Sequence, residues 1–311
     1  MMRRREWLAA SLGVFSIPGC RTSAPSRAPG IIDAHVHFYD PSRPGGVPWP
    51  PAQDQCLYRT VLPAHLRALA APLGVAGVIV VEASPRESDN DWLLDVADSD
   101  PFVMGVVGHL KPGRPRFKSE LDRLANHPRF VGIRTGLWNI EPSLDEGFLA
   151  DLRRLAARGL ALDLGAGAAR LAIVPALARE VPDVRMVINH LGGPVIRAGE
   201  EPSAEWRRAI RAAAVHPNVA MKISGFVEAF GRGGDLADVA AVRKVMRPWF
   251  CEVLEAFGPE RLMFATNWPV CEKQATYEEV VGLARELTRG LSDSECDRIW
   301  RTTALRWYRV G

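Results

Sequence analysis

Residues 31–38 read IIDAHVHF and are the first of eight short runs rich in Val, Ile and Leu along the chain. Runs that are apolar on both faces, such as VAGVIVV at 75–81, are typical of strands buried in a parallel sheet. We predict strands at 31–38, 75–82, 102–108, 130–134, 160–164, 184–189, 218–223 and 261–265.

The intervals between these runs carry helical periodicity. Apolar residues recur there at three- and four-residue spacing and predict helices at 144–158, 205–215, 245–257 and 277–288. Alternating strands and helices, with no Gly-x-Gly-x-x-Gly motif after the first strand, favour a closed (β/α)8 TIM barrel over a dinucleotide-binding fold. We therefore predict an α/β protein whose single barrel domain spans 30–311, close to the roughly 250 residues typical of this fold.

The composition fits a globular domain and excludes several classes of protein. The 311 residues include 39 Lys and Arg against 36 Asp and Glu, for a net charge of +3. This near balance argues against a polybasic nucleic-acid-binding arm and against extended disorder. Apolar runs stay below the 18 or more residues of a membrane span. We predict no nucleic-acid partner, and membrane contact only through a lipid at the N terminus.

Residues 1–29 have the layout of an export signal followed by a linker. Three arginines at positions 3–5 precede a short apolar run, and RREWL at 4–8 resembles a twin-arginine signal. Residues 17–20, IPGC, resemble a bacterial lipobox, which would make Cys20 the lipidated first residue of the mature chain. Cleavage after Ala24 is the alternative. We expect export to the periplasm or cell envelope, with an anchor at Cys20.

The other four cysteines match no zinc-binding spacing. Cys56 and Cys271 both follow predicted strand ends on one face of the barrel, so a disulfide between them is one alternative in an oxidising compartment. Buried free thiols are the other alternative. The cysteines in question are Cys56, Cys251, Cys271 and Cys296.

Polar residues collect at the carboxyl ends of the predicted strands, where TIM barrels carry their chemistry. His35 and His37, called here the histidine pair, lie on one face of the first strand because side chains alternate along a strand. Two such imidazoles can chelate a divalent metal ion such as zinc or manganese, or can polarise a carbonyl group and transfer protons without a metal. The other polar residues at strand ends are Glu82, His109, Arg134, Asp163, His190, Lys222, Ser224 and Asn267.

Several motifs resemble the amidohydrolase-related family, and within it the branch that contains L-fuconolactonase and 2-pyrone-4,6-dicarboxylate lactonase. They are DAHVHFYDP, GVPWP, VGIRTGL, VINHLGGP, NVAMKISGF, FGPERLMFATNWPV and TTALRWYRV, in family order between 31 and 310. The resemblance implies a TIM-barrel hydrolase of sugar lactones or related cyclic esters, a family in which some members use a divalent metal and others use none. It also implies that the histidine pair and His190 are catalytic and that Arg134 faces the substrate.

The chain departs from the family pattern at two positions. Asn267 stands where lactonases of this branch carry Asp, and Glu82 stands where many carry Gln. A neutral amide cannot accept a proton near neutral pH. Positions 267 and 82 flank the first strand of a closed barrel, so we predict that the carboxylate needed to activate water has moved to Glu82. Glu82 would then be the general base or a metal ligand, while Asn267 orients water or the substrate carbonyl. A structural ion pair of Glu82 with Lys222 or Arg134 is the alternative.

The sequence therefore predicts hydrolysis of a lactone. The histidine pair and His190 would polarise the carbonyl, directly or through one bound divalent metal, and Glu82 or a histidine would activate water. Arg134 and Lys222 would stabilise charge on the substrate. Three tryptophans would form an aromatic floor for a sugar-like ring: Trp49, Trp138 and Trp268.

Two alternatives to a lactonase remain at this point. One is a metal-dependent decarboxylase or amidase on the same fold, which the absence of the family's Asp disfavours. The other is a catalytically impaired, ligand-binding lipoprotein.

Overall fold

In a computed structural model, eight strands and eleven helices are found in residues 30–141, 143–165, 167–230 and 239–311, which are the residues the structure describes. Of residues 239–241 only the backbone is described. The predicted export signal, lipobox and Cys20 lie outside these residues.

The strands pair in sequence order, and every recorded pairing is parallel. The predicted (β/α)8 barrel is therefore confirmed, and each strand overlaps its predicted run. The strands are β1 Ile31–Val36, β2 Val75–Val81, β3 Val103–Gly108, β4 Phe130–Gly136, β5 Ala161–Gly165, β6 Arg185–Ile188, β7 Val219–Ile223 and β8 Leu262–Phe264.

The helices surround the barrel, and the four predicted helices are all present. Helix α8 begins six residues before its predicted start and contains Pro248. No helix in the described ranges is long and apolar enough to cross a membrane. The helices are α1 Pro63–Ala70, α2 Asp89–Ser99, α3 Phe117–Leu124, α4 Glu146–Ala157, α5 Val174–Glu180, α6 Ala204–Ala214, α7 Phe226–Ala229, α8 Val239–Phe257, α9 Tyr277–Thr288, α10 Asp293–Asp297 and α11 Thr303–Tyr308.

Strand β8 has only three residues, and the segment after it closes the barrel against β1. The backbone N–H of Asn267 donates to the carbonyl of His35 at 2.9 Å, and the N–H of His37 donates to the carbonyl of Trp268 at 2.8 Å. These two bonds continue the parallel pairing beyond the regular strand. They place the Asn267 side chain beside the histidine pair.

A buried carboxyl group, Asp33 on β1, holds this closure in place. It accepts hydrogen bonds from the backbone N–H and the hydroxyl of Thr266 and from the hydroxyl of Tyr277. Burial raises the pKa of Asp33 to about 6, although these donors act in the opposite direction. The join between the first and last strands is therefore a polar network as well as a backbone ladder.

The four described cysteines are free thiols, so Cys56 and Cys271 form no disulfide in this structure. Cys271 is buried, as expected for a free thiol in the core, whereas Cys251 is exposed on α8. The buried-thiol alternative therefore holds for Cys271 and is wrong for Cys251.

Candidate active site

A cavity of about 880 Å³ lies at the carboxyl ends of the strands. The predicted site residues fall into two groups relative to it. The first group lines the cavity and comprises Trp49, Glu82, Arg134, Trp138 and His190. The second group, which does not line it, comprises His35, His37, Lys222, Asn267 and Trp268.

Two tryptophans give the cavity an aromatic wall. Trp138 is 64% exposed at the mouth, and Trp49 lies deeper, against the ring of His37. Trp268, predicted as part of the same floor, is instead buried in the core, where its indole N–H donates to Glu272. Of the three predicted tryptophans, Trp49 and Trp138 therefore line the cavity and Trp268 does not.

Glu82 forms an ion pair on the cavity wall. The Nε of Arg134 donates to its Oε1 at 2.7 Å, and Nδ1 of His109 lies 3.9 Å from the same oxygen. Burial alone would raise the pKa of Glu82, but the charge of Arg134 and the contact with His109 hold that pKa below its usual range. Glu82 is thus an ionised carboxylate, and its partner is Arg134 rather than Lys222.

His109 is a cavity residue to which the sequence motifs gave no role. Both of its ring nitrogens are buried and have no hydrogen-bond partner among the described residues. A buried polar atom without a partner costs free energy, and a bound ligand can relieve that cost. Its position at the end of β3 was the only sequence signal for it.

His190 has an unusual backbone conformation immediately after β6. Its φ is +53°, in the left-handed region, which residues other than Gly adopt at a cost in free energy and which Asn, Asp and His adopt more often than the rest. Neighbouring Gly225 is required for space, because a Cβ there would lie 2.6 Å from the Cβ of His190. The strained turn aims the imidazole at the cavity, with Nδ1 2.9 Å from the hydroxyl of Ser224.

Burial lowers the pKa of His190 well below its ordinary value, and the charges of Arg134 and Lys222 add to the effect. His190 is therefore neutral near pH 7. A neutral imidazole on a cavity wall can accept a proton from water.

The histidine pair belongs to a chain of hydrogen bonds that determines where its protons lie. Lys222 Nζ is 3.3 Å from His35 Nδ1, His35 Nε2 is 3.3 Å from His37 Nε2, and His37 Nδ1 is 2.8 Å from the carbonyl of Val81. A carbonyl can only accept, so His37 carries its proton on Nδ1. A lysine ammonium can only donate, so His35 carries its proton on Nε2 and donates to His37 Nε2.

Burial lowers the pKa of both imidazoles, that of His37 to about 4, which agrees with two neutral rings.

Lys222, predicted to stabilise charge on the substrate, is fully buried behind the cavity. Its ammonium group donates to Asp163 at 2.5 Å, and the hydroxyl of Tyr308 donates to the other oxygen of Asp163 at 2.7 Å. A buried cation needs such a partner. Lys222 therefore contacts His35 and not the cavity.

The histidine pair and His190, in the arrangement that the structure shows, do not fit a metal ion. Ligation by His35 Nε2 needs a lone pair on that atom, but the donor Lys222 leaves the proton there. In addition, no group of three or more His, Cys, Asp or Glu side chains converges on one point within the described ranges. The side chains of the protein therefore have to supply the chemistry at this site themselves.

Asn267 connects the histidine pair to a carboxyl group that the sequence analysis missed. Its φ is +63°, a conformation that Asn tolerates better than most residues, and its carboxamide oxygen lies 3.2 Å from His37 Nε2. Its amide nitrogen lies 2.7 Å from Oε1 of Glu228, on the short helix α7. Glu228 follows β7 by five residues and belongs to no recognisable motif, so only the folded chain brings it to the site.

The chain matches the sequence pattern of a family described as Amidohydrolase over residues 32–310. An L-fucono-1,5-lactonase of Burkholderia ambifaria is 35% identical over 246 residues, 77% of this chain and 80% of that protein. An L-fucono-1,5-lactonase of Burkholderia multivorans is 29% identical over 90% of this chain and 96% of that protein. The crystal structure of an amidohydrolase from Burkholderia multivorans with bound zinc superposes with a TM-score of 0.79 and 29% identity, covering 91% of this chain and all of that one.

Proposed function

We propose that this chain, which belongs to the amidohydrolase family, is a lactonase that opens a sugar lactone by attack of water in the cavity at the barrel mouth. The family membership confirms the resemblance of the sequence motifs. Its relatives include two L-fucono-1,5-lactonases. The observation that carries the proposal is the neutral imidazole of His190 on the wall of a cavity that also holds an arginine and an exposed tryptophan.

The cavity has groups that can contact the ring face, the carbonyl oxygen and a hydroxyl group of such a substrate. The apolar face of a sugar ring can stack on the exposed indole of Trp138. The guanidinium of Arg134, held in place by Glu82, carries the positive charge that stabilises a developing oxyanion. The ring nitrogens of His109, which have no hydrogen-bond partner among the described residues, provide a polar contact for a hydroxyl group of the sugar.

In the proposed reaction the oxygen of a water molecule attacks the lactone carbonyl carbon while His190 accepts a proton from that water. The tetrahedral intermediate then breaks the bond between the carbonyl carbon and the ring oxygen. The proton held by His190 passes to the departing ring oxygen, which becomes a hydroxyl group. The product is the open-chain hydroxy acid, and His190 returns to its neutral form.

The function is tested by acid release from a panel of six-carbon sugar 1,5- and 1,4-lactones, measured with a pH indicator. We expect turnover above the spontaneous hydrolysis rate for at least one member. Binding of these lactones without turnover would instead favour the ligand-binding alternative.

Glu82→Gln separates the two roles considered for Glu82. We expect kcat to fall by less than about tenfold, because a Gln oxygen can still accept from Arg134 Nε and His190 still accepts the proton. Steady-state kinetics measure this. A fall in kcat of about 10²–10⁴-fold would instead identify Glu82 as the base that activates water.

We also propose export of the protein and lipid attachment at Cys20. The proposal is supported by the arginines at 3–5, the apolar run after them and the IPGC sequence at 17–20. Cys20→Ser is expected to move the protein from the membrane fraction to the released fraction of cells, without loss of lactonase activity. Equal fractionation of both forms would contradict the anchor.

A further inference from the structure

We propose that the outer half of the cavity binds a second sugar unit, so that the substrate is the lactone of a disaccharide and not of a single sugar. The rate that follows from this rests on the proposed lactonase function, whereas the binding does not. The outer half, called here the outer subsite, is lined by Lys111, Arg114, Glu141, Leu144, Asp145 and Phe148.

The size of the cavity is the first observation that supports a larger substrate. Its volume of about 880 Å³ lies in the upper part of the range of about 300–1,000 Å³ that holds drug-sized ligands. A six-carbon lactone is much smaller than such a ligand. Held against His190, Arg134 and Trp138 in the proposed reaction, the lactone ring fills only part of this space. The volume therefore leaves room for another part of the substrate.

The outer subsite lies between the connections that follow β3 and β4. Lys111 and Arg114 belong to the connection from β3 to α3, and both side chains are exposed. Glu141, in the connection from β4 to α4, is exposed as well. Glu82, at the end of β2, is in contrast 8% exposed. The cavity therefore runs from buried strand ends to a solvent-facing outer half.

Hydrogen bonds hold the connection from β3 to α3 in place. At its start, the carboxamide of Asn90 on α2 accepts from the N–H of His109 at 2.7 Å and donates to the carbonyl of the same residue at 2.9 Å. Further along, the N–H of Gly113 donates to the buried carboxylate of Asp151 on α4 at 2.8 Å. A backbone fixed in this way lowers the entropy cost of binding a ligand against its side chains.

The two connections contact each other beside the cavity. Gly113 has a φ of +80°, and a Cβ at this glycine would lie 3.6 Å from the Cβ of Phe148, the residue against which it packs. Both residues line the cavity. This contact bounds the outer subsite on one side, so the outer subsite suits one further unit better than a long chain of sugars.

The charges of the outer subsite are balanced and match the hydroxyl groups of a neutral sugar. Lys111 and Arg114 supply donors, and the carboxylates of Glu141 and Asp145 supply acceptors. A sugar hydroxyl can accept from the first two and donate to the other two. An apolar ligand would cover these four groups without replacing their bonds to water, which costs free energy.

An apolar surface completes the outer subsite. The side chains of Leu144 and Phe148 are half-buried and line the cavity. The C–H face of a sugar ring can pack on an aliphatic or aromatic surface of this kind while its hydroxyl groups bind polar side chains. Mixed charges beside an apolar surface therefore favour a sugar as the second unit.

The second unit leaves the proposed reaction unchanged. It is joined by a glycosidic bond to a hydroxyl group of the lactone that takes no part in ring opening. Water still attacks the lactone carbonyl carbon, and the product is the open-chain hydroxy acid that carries the second sugar. Binding energy from a remote unit of this kind can raise kcat/KM.

Kinetics on matched substrates test the outer subsite. The 1,5-lactones made from cellobiose, lactose, maltose and melibiose share the ring of glucono-1,5-lactone and differ from it by one added sugar. We expect kcat/KM for at least one of them to exceed that for glucono-1,5-lactone by about tenfold or more. Hydrolysis of glucono-1,5-lactone with no gain for any disaccharide lactone overturns the outer subsite and leaves the lactonase function in place.

A double variant, Lys111→Ala with Arg114→Ala, tests the residues. We expect it to lower the ratio of kcat/KM between the disaccharide lactone and glucono-1,5-lactone by about tenfold, because hydrogen bonds from charged groups are lost. Arg116→Ala with Lys118→Ala is the matched control. It removes the same charge from the same stretch of chain, but these two residues form surface ion pairs with α3 and do not line the cavity. A ratio that stays unchanged, or that falls equally in the control, overturns the proposal.

Binding of stable analogues separates the outer subsite from the lactonase function. In the 1,5-lactams of the same sugars an N–H replaces the ring oxygen, and titration calorimetry measures their affinity without turnover. We expect a disaccharide lactam to bind about tenfold more tightly than glucono-1,5-lactam to the wild type and to the control, but not to the Lys111 and Arg114 variant. This result without hydrolysis of any lactone would refute the lactonase function and support the outer subsite. Equal affinities in the wild type overturn the outer subsite.

Discussion

Replacement of His190 by Asn is expected to lower kcat for the lactone by about 10²–10⁴-fold, the usual contribution of a general base. Asn has no basic nitrogen to accept a proton from water. It is also the substitution best suited to this position, because Asn tolerates the left-handed backbone that His190 adopts at φ +53°. The fall in kcat should therefore come from the missing base and not from a change in the backbone of the turn.

Single-turnover kinetics measure the loss of rate. Thermal unfolding of the same preparation measures any loss of stability. His216→Asn is the control, because His216 lies in the connection between α6 and β7 and does not line the cavity. A raised KM with unchanged kcat would show that His190 only binds substrate, and would transfer the role of base to another group such as Glu82.

Replacement of Lys222 by Met is expected to lower the free energy of unfolding by about 3–5 kcal/mol. The substitution leaves the carboxylate of Asp163 buried, and the hydroxyl of Tyr308 is then its one side-chain hydrogen-bond donor within the described ranges. It also removes the donor to His35 Nδ1, so the proton of His35 is no longer confined to Nε2. Stability and activity should fall together.

Urea denaturation compares this variant with Lys273→Met, which breaks a surface ion pair with Asp54 and should cost about 1 kcal/mol or less. A second substitution, Asp163→Asn, should recover much of the stability of Lys222→Met, because the uncompensated charge disappears. If Lys222→Met cost no more than the surface control, the buried ion pair would not be a major source of stability.

The sequence predicted the barrel and the residues at its mouth for a common physical reason. Buried parallel strands are continuous apolar runs, and their order and ends are visible along the chain. The two-residue period of a strand placed His35 and His37 on one face, and the closed topology placed Asn267 beside them. The positions of these side chains depend on neighbouring residues in the sequence or on the order of the strands, and both can be read from the chain.

The partners of the charged residues could not be predicted in the same way. Glu82 pairs with Arg134 from β4, and Lys222 pairs with Asp163 from β5, because long side chains reach across the barrel. Either residue could have reached several neighbours of opposite charge. Glu228 was missed because a four-residue helix gives no periodic signal.

The Asp163 network also reaches the last helix of the barrel. Tyr308 on α11 contacts Asp163, which holds Lys222, which in turn donates to His35. Trp307 and Tyr308 pack among the side chains inside the barrel. During synthesis on the ribosome, then, the strand that carries the histidine pair emerges among the first, but its proton arrangement is complete only after the residues near 308 have emerged and docked.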